Sequence, residues 1–263
     1  MSLDDLKYPQ RQRLVFLDRC LTWRGMAKRR DLIDRFKISS AQAAIDFREY
    51  LTRVAVAPIY DATQKTYVAA PGHKPLAPST LVEAFEALDG TGDGSTIASI
   101  PQPVRQATPA TVTKLYAALK GQKAVNVAYT SINSGVDDGQ WLVPTRFMSD
   151  GENVHLRAFS FKHHTYRDYL PIRISPWSTF ELRDLEAPLP ADVDWHTKAV
   201  FRLRPKSDLS DDQAAVVRRE YGFDGEFLVV EIRKAMEIYF RRRWRLEEKN
   251  SRLEVAKIDF ENL

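Results

Sequence analysis

The chain has 263 residues, 44% of them hydrophobic, and a formal charge of +4; that is enough apolar material for two or three compact cores. No apolar run approaches the roughly 18 residues that a bilayer span needs. The first residues, with Asp4, Asp5 and Lys7, lack the basic-then-apolar order of a signal peptide, so a cytoplasmic protein with no membrane partner is expected. A single cysteine, Cys20, excludes an internal disulfide and, inside a helical pattern, reads as a small core residue. The charge is uneven: up to Lys74 there are 14 Lys and Arg against 8 Asp and Glu, and beyond it 25 against 27. A basic excess confined to one segment suits nucleic acid, although solvated surfaces are often basic too.

From Gln12 to Trp23 the spacing of Leu14, Leu17 and Leu21 predicts a helix ended by Gly25. A second helix, Lys28 to Phe36, turns Leu32, Ile33 and Phe36 inward, and Lys37-Ile38-Ser39 leads tightly into a third, capped by Ser39 or Ser40. The third helix carries an apolar line of Ala44, Phe47, Leu51 and Val54 opposite a stripe of Gln42, Asp46, Glu49 and Arg53. A β-hairpin follows, from Val56 to Tyr60 and back through Lys65-Thr66-Tyr67-Val68. Helix, tight turn, capped helix and hairpin make a winged helix-turn-helix over residues 1–74, the alternative being an ordinary three-helix bundle with an incidental hairpin.

In the winged-helix reading, double-stranded DNA is the partner. Lys28, Arg29, Arg30 and Lys65 are placed for phosphates, Ser39, Ser40, Gln42 and Ala43 for base edges, and the wing residues Thr63, Lys65 and Tyr67 for backbone or minor groove. Gln42 is the best candidate for sequence reading, because its amide offers both a donor and an acceptor to adenine.

Residues 75–122 read as a linker rich in proline, with a short helix from Ser79 to Leu88, a turn through Asp89 to Ser95 and a helix from Thr111 to Leu119. Gly90 to Gly94 lacks the preceding strand and following Lys-Ser/Thr of a phosphate loop, and reads as a turn. Residues 123–190 are rich in alternation. Tyr129 and Ser131 share one face of a strand, and in Val154 to Phe159 the residues Val154, Leu156 and Ala158 suit a core while His155 and Arg157 share the opposite face. Two guanidinium groups, Arg157 and Arg167, brought together there repel unless an anion or carboxylate sits between them. The readings left open are a phosphate-bearing ligand held by Tyr129, Ser131, His155, Arg157 and Arg167, and an ion pair of Arg167 with Asp168 or another acid that only holds the fold together.

Over residues 191–263, strands at Lys198 to Arg204 and Glu226 to Arg233 flank a helix opened by Ser210-Asp211-Asp212-Gln213 and closed near Gly222, and a last helix spans Ala235 to Leu246. The run Arg241 to Arg245 is read as a solvated helix face or a contact between copies before a second nucleic-acid site. Ser131, His155 and Asp168 are the residue types of a hydrolytic triad, but no nucleophile-elbow sequence surrounds Ser131, and His163-His164 lacks metal-ligand spacing. No enzyme activity, metal or cofactor is expected.

The segments Tyr129-Thr130-Ser131, Trp141-Leu142-Val143-Pro144, Asp150-Gly151, His155-Leu156-Arg157-Ala158-Phe159, Tyr166-Arg167-Asp168-Tyr169 and Arg173-Ile174 resemble the WYL domain of bacterial transcription regulators. The family's Trp-Tyr-Leu triplet reads Val154-His155-Leu156 here, as in the subgroup associated with phage-defence loci. Ala27 to Leu32, Ile38 to Ala43, Asp46, Tyr50, and Tyr60 with Lys65-Thr66-Tyr67 resemble the N-terminal domain of the same regulators. The resemblance implies an α+β multidomain chain: winged helix-turn-helix, Sm-like small β-barrel and C-terminal α+β dimerisation extension. It also implies a homodimeric repressor on an inverted-repeat operator of a phage-defence operon, relieved by a nucleotide or oligonucleotide effector. Repression rather than activation rests on the resemblance alone. The rival expectation is an accessory subunit whose barrel binds single-stranded nucleic acid and modulates a nuclease or helicase.

Overall fold

Leu14, Leu17 and Leu21 are spaced for one helix face, and all three are buried in the computed structural model of the protein, which describes residues 3–89, 97–101, 103–132 and 135–263. The chain divides into two units, Met1–Gln102 and Pro103–Leu263. In the first, helix α1 (Tyr8–Arg19) starts earlier than predicted, because Pro9 fits its first turn, and runs into a π turn at Cys20–Arg24. Gly25, at φ 76°, ends it in the left-handed conformation that costs glycine nothing. Strand β1 (Met26–Ala27) leads to α2 (Arg29–Phe36), where the Lys28 N–H donates to the Asp31 carboxylate at 2.6 Å. Helix α3 (Ser40–Arg53) is capped by Ser39, whose Oγ accepts from the Gln42 N–H at 3.1 Å.

The buried line of α3 is Ala43, Phe47 and Tyr50, not the expected Ala44, Phe47, Leu51 and Val54. The helix is turned by its polar atoms: Asp46 goes inside because Arg13 meets it at 2.6 Å, and the Tyr50 hydroxyl donates to buried Asp18 at 2.7 Å. A buried polar group is tolerated when it is paired. Asp18 also accepts from the N–H groups of Leu76 and Ala77, each at 3.0 Å. The stretch after residue 74 therefore belongs to this core, which Ala87 also joins, and the linker expected to begin at 75 is corrected. The expected helix Ser79 to Leu88 is turns followed by one 3-10 turn, Phe85–Leu88. The Gly90 to Gly94 turn lies outside the described residues.

Strands β2 (Ile59–Asp61) and β3 (Thr66–Val68) form the wing, and β3 also pairs with β1, giving the order β1-β3-β2. The Asp61 carboxylate closes the turn by accepting from the Thr63 and Gln64 N–H groups at 2.8 and 3.0 Å.

The second unit opens with α4 (Pro109–Lys120), capped by Thr108. It then forms an antiparallel sheet of β4 (Ala124–Ser131), β5 (Gly135–Ser149), β6 (Val154–Ser160), β7 (Thr165–Tyr169) and β8 (Leu182–Arg183), in the order β7-β6-β5-β4-β8. Leu115 and Ala118 of α4 pack with Val125, Val127, Leu142 and Leu156. The expected closed barrel is corrected: among the described residues the order has two free ends. Two-residue β8 reaches only β4, and Tyr129 and Ile174 make one isolated bridge.

A third sheet completes this unit. After the single turn α5 (Val193–His196), strand β9 (Thr197–Pro205) is central between β10 (Leu228–Arg233) and β11 (Leu253–Asn262). Helix α6 (Asp211–Tyr221) carries the expected reciprocal cap between Ser210 and Gln213, and α7 (Glu237–Arg243) buries Phe240 against Phe201. Strand β11 is absent from the sequence reading because its alternation is broken by a register shift between Val255 and Lys257. No helix among the described residues is long and apolar enough to cross a membrane.

Candidate nucleic-acid interface and ligand cavity

In the first unit the cap brings Ser39 and Ser40 to the surface at the start of α3, with Gln42 half-buried beside them. The Gln42 side chain is held: its Nε2 donates at 3.1 Å to Asp46, which Arg13 grips with Nε at 2.6 Å and Nη2 at 3.2 Å. An amide fixed from behind by a buried ion pair is pre-organised for a partner in front. Ala43 is fully buried, packed in the core, and is withdrawn as a base-contacting residue. The sequence reading missed Ile45, exposed about one turn further along the same side of the helix, and Arg48, exposed a turn beyond Ile45 and about 120° round the helix from Gln42. Their signal was the spacing of three from Gln42 to Ile45 and from Ile45 to Arg48. Of the expected polar stripe, Asp46 is internal, and Arg53 pairs with Glu49 and with Asp5.

Around α3, Arg29 and Arg30 are exposed, Arg30 reaching Asp34 at 3.3 Å, while Lys28 is half-buried. Thr63 and Lys65 stand exposed at the wing tip. Tyr67 stacks on Phe47 with ring centroids 4.7 Å apart and lies 4.9 Å from Tyr60, so its ring anchors the wing to α3 instead of reaching outward. Cys20 is fully buried, and burial pushes its thiol up to about 12, as suits a core residue.

In the second unit the expected arginine clamp is not formed. Arg157 stands opposite Asp168 across the β6-β7 ladder and Ala158 opposite Arg167, so Arg157 and Arg167 point to opposite faces. Arg157 is buried, binds Asp192 through two bonds of 2.6 and 2.7 Å and Asp168 at 2.9 Å. Burial disfavours its charge, but the two carboxylates outweigh burial and hold the guanidinium more firmly protonated than usual. Arg167 is exposed. His155 is buried too, sharing a 2.9 Å hydrogen bond with Asp150 and lying 4.4 Å from the Tyr239 ring. His155 thus takes Asp150, not Asp168, as its carboxylate, which undoes the triad arrangement. Val154, expected in the core, is 55% exposed.

A cavity of about 860 Å³ opens here, lined by Tyr129, His155 and Asp168 of the sheet, by Arg173 in the 3-10 turn Pro171–Arg173 after β7, and from α7 onward by Tyr239, Arg242, Arg243 and Arg245. Ser131 and Arg167 do not line it. Tyr129 is fixed edge-on to Tyr169, and the Tyr239 hydroxyl donates to Asp168 at 3.0 Å. Burial and the adjacent Asp168 charge raise the Tyr239 phenol well above its ordinary range. The turn that carries Asp150 needs Gly151, at φ 88°, and Asp150 accepts from the Glu152 and Asn153 N–H groups at 2.8 and 2.6 Å. Burial opposes the Asp150 charge, yet these bonds and His155 hold its carboxyl well below the usual range.

The arginines of this cavity differ in their partners. Arg243 donates to Glu152 at 3.0 Å and Arg245 to Glu248 at 2.6 Å, and Arg105 shares Glu152 at 3.4 Å while reaching Asn153 at 2.9 Å. Arg173 and Arg242 have no carboxylate partner among the described residues. Two unpaired guanidinium groups in a concave site favour an anion. Arg242, Arg243 and Arg245 come from the run read as a surface or interface feature; the fold folds them back over the sheet. Among the described residues no cluster of three His, Cys, Asp or Glu side chains is arranged to hold a metal.

Residues 9–88 match the family described as the winged helix-turn-helix domain of BrxR transcriptional regulators, and residues 200–259 match the C-terminal dimerization domain of the same regulators. The chain is similar to the DNA-binding transcriptional repressor CapW of Pseudomonas aeruginosa, with 27% identity over 97% of this chain and 90% of that protein. It is also similar to CapW of Escherichia coli strain KTE188, with 28% identity over 88% of this chain and 81% of the relative. Among solved structures, the proteasome accessory factor PafBC of Arthrobacter aurescens aligns with 95% of the chain at 12% identity and a TM-score of 0.31, and the chain spans 44% of that one.

Proposed function

Because the chain belongs to the BrxR family of transcriptional regulators, through its winged helix-turn-helix and its C-terminal dimerization domain, we propose that it is a homodimeric, DNA-binding transcriptional repressor. The observation that carries the reading is the exposed, capped start of α3, with Gln42 tethered to the Arg13–Asp46 pair and Ile45 exposed about one turn behind it. Gln42 reads adenine and Ile45 meets a thymine methyl group. Arg29, Arg30 and Lys65 hold phosphates on either side, which contributes salt-dependent affinity without sequence information. Two copies held by the C-terminal domain address two half-sites of an inverted repeat, spaced by about one helical turn or a multiple of it.

The arginine-lined cavity is the regulatory site of this reading, and its occupant is a nucleotide or oligonucleotide. Its anion is held by Arg173 and Arg242, with Tyr129 and His155 in the wall, in place of the Arg157 and Arg167 clamp. A ligand that prefers the released shape of the dimer by about 1.4 kcal/mol lowers operator affinity tenfold. The genes under control are those of a phage-defence operon, as in the regulators that the sequence resembles.

A gel-shift titration on the DNA upstream of the gene tests the reading. Tight, sequence-selective duplex binding is expected for the intact chain, with a loss of about tenfold or more in Gln42→Ala and none in Arg242→Ala. If Arg242→Ala abolished binding while Gln42→Ala left it intact, the chain would instead be a subunit that binds single strands through its cavity.

A further inference from the structure

Beside the arginine-lined cavity lies a second one of about 590 Å³ with different walls: Val112 and Tyr116 of α4, Phe147 of β5, Val154 of β6, and Pro171 and Ile172. Tyr116, Val154 and Ile172 are each about half exposed, although three separate elements bring them to one place. Contiguous apolar surface of this kind, recessed and left uncovered, marks a binding site more often than scattered surface leucines do. The two cavities share Arg105, Glu152, Asn153, Leu170 and Ile172, so they are chambers of one cleft. Arg105 stands at the divide, donating to the Asn153 Oδ1 at 2.9 Å.

We propose that the apolar chamber beside α4 is a base-binding subsite, so that the ligand is a nucleoside phosphate whose ring lies against Tyr116 and Val154 while its phosphate meets Arg173 and Arg242. This deepens, and rests on, the anion reading of the arginine-lined cavity. A nucleobase has apolar faces and polar edges, and the lining of this chamber combines its apolar walls with Thr113, Glu152 and Asn153. A plain hydrocarbon chain has no use for those polar groups. A free phosphate or bare phosphosugar leaves the apolar walls wet.

Isothermal titration of the full chain with the four ribonucleoside 5′-monophosphates, ribose 5-phosphate and octanoate tests the proposal. At least one nucleotide is expected to bind about tenfold or more tightly than ribose 5-phosphate, the gain that stacking one base gives. Tyr116→Ala and Val154→Ser, both at exposed positions, should bring that nucleotide down to the ribose 5-phosphate level and leave ribose 5-phosphate itself unchanged, which also reports an intact fold. Arg242→Ala should weaken both. Equal binding of ribose 5-phosphate and every nucleotide overturns the base subsite and leaves the anion reading standing. Octanoate competing as well as the nucleotide also overturns it. If no phosphate-bearing probe binds, the anion reading falls and takes the subsite with it.

Discussion

Helix α3 and strand β6 carry the same kind of pattern, apolar residues on one side and polar residues on the other, yet they meet opposite fates. In α3 the polar start of the helix, Ser39 and Ser40, stays in water, ready for a partner. In β6, His155 and Arg157 are nearly as buried as Leu156 and Ala158, because Tyr239 of α7 lies on one and Asp192 grips the other. Alternation tells which side of an element differs from the other. What covers each side is decided by residues far along the chain. Even α3 obeys this rule, since Arg13, 33 residues away, draws Asp46 out of the polar stripe.

The contrast can be tested at each end. Arg157→Leu strands the Asp192 and Asp168 carboxylates in a buried site and should cost about 3–5 kcal/mol in chemical denaturation, whereas Arg167→Leu, at an exposed position, should stay within about 0.5 kcal/mol. Equal effects would mean that the two arginines are not on opposite faces. Asp46→Ala is expected to cost about 2 kcal/mol, since a charged hydrogen bond to Arg13 is lost at a partly buried site, and to weaken operator binding along with stability. Ser39→Ala removes the cap of α3 and should cost about 1 kcal/mol, read as a small shift in the urea midpoint.

The mildest effect concerns acid. The folded-state pKa of Asp150 is depressed, so its contribution is complete above the ordinary carboxylate value of about 3.9 and is lost as pH falls through the folded-state value. Urea midpoints measured from pH 7 down to pH 2 should therefore fall less steeply in Asp150→Asn than in the parent chain.

Much of the local architecture was legible because its causes are local. Ser39 before a helical run, Ser210 with Gln213, Gly25 after a helix, and Asp61 in a tight turn each satisfy or free backbone groups within a few residues of themselves. The candidate site was legible only in part. Tyr129 and His155 do line the cavity, but its arginines without a carboxylate partner among the described residues are Arg173, in the turn after β7, and Arg242 of α7, 69 residues apart. Strand β11 went unseen because one extra residue interrupts its period of two. The linker boundary was misplaced because Asp18 captures the N–H groups of Leu76 and Ala77 across a gap that no periodicity spans.

The sequence by itself determined the bounds of α2, α3 and α6, the wing and its turn, and the basic bias of the N-terminal segment, since each follows from caps, spacing or composition read over a few neighbouring residues. Only the tertiary structure decided which charges are paired inside and which line a cavity without a carboxylate partner among the described residues. A guanidinium is free or neutralised according to the carboxylate that packing brings within about 3 Å, and for Arg157 and Arg242 that outcome was set by chain segments folding back from far away.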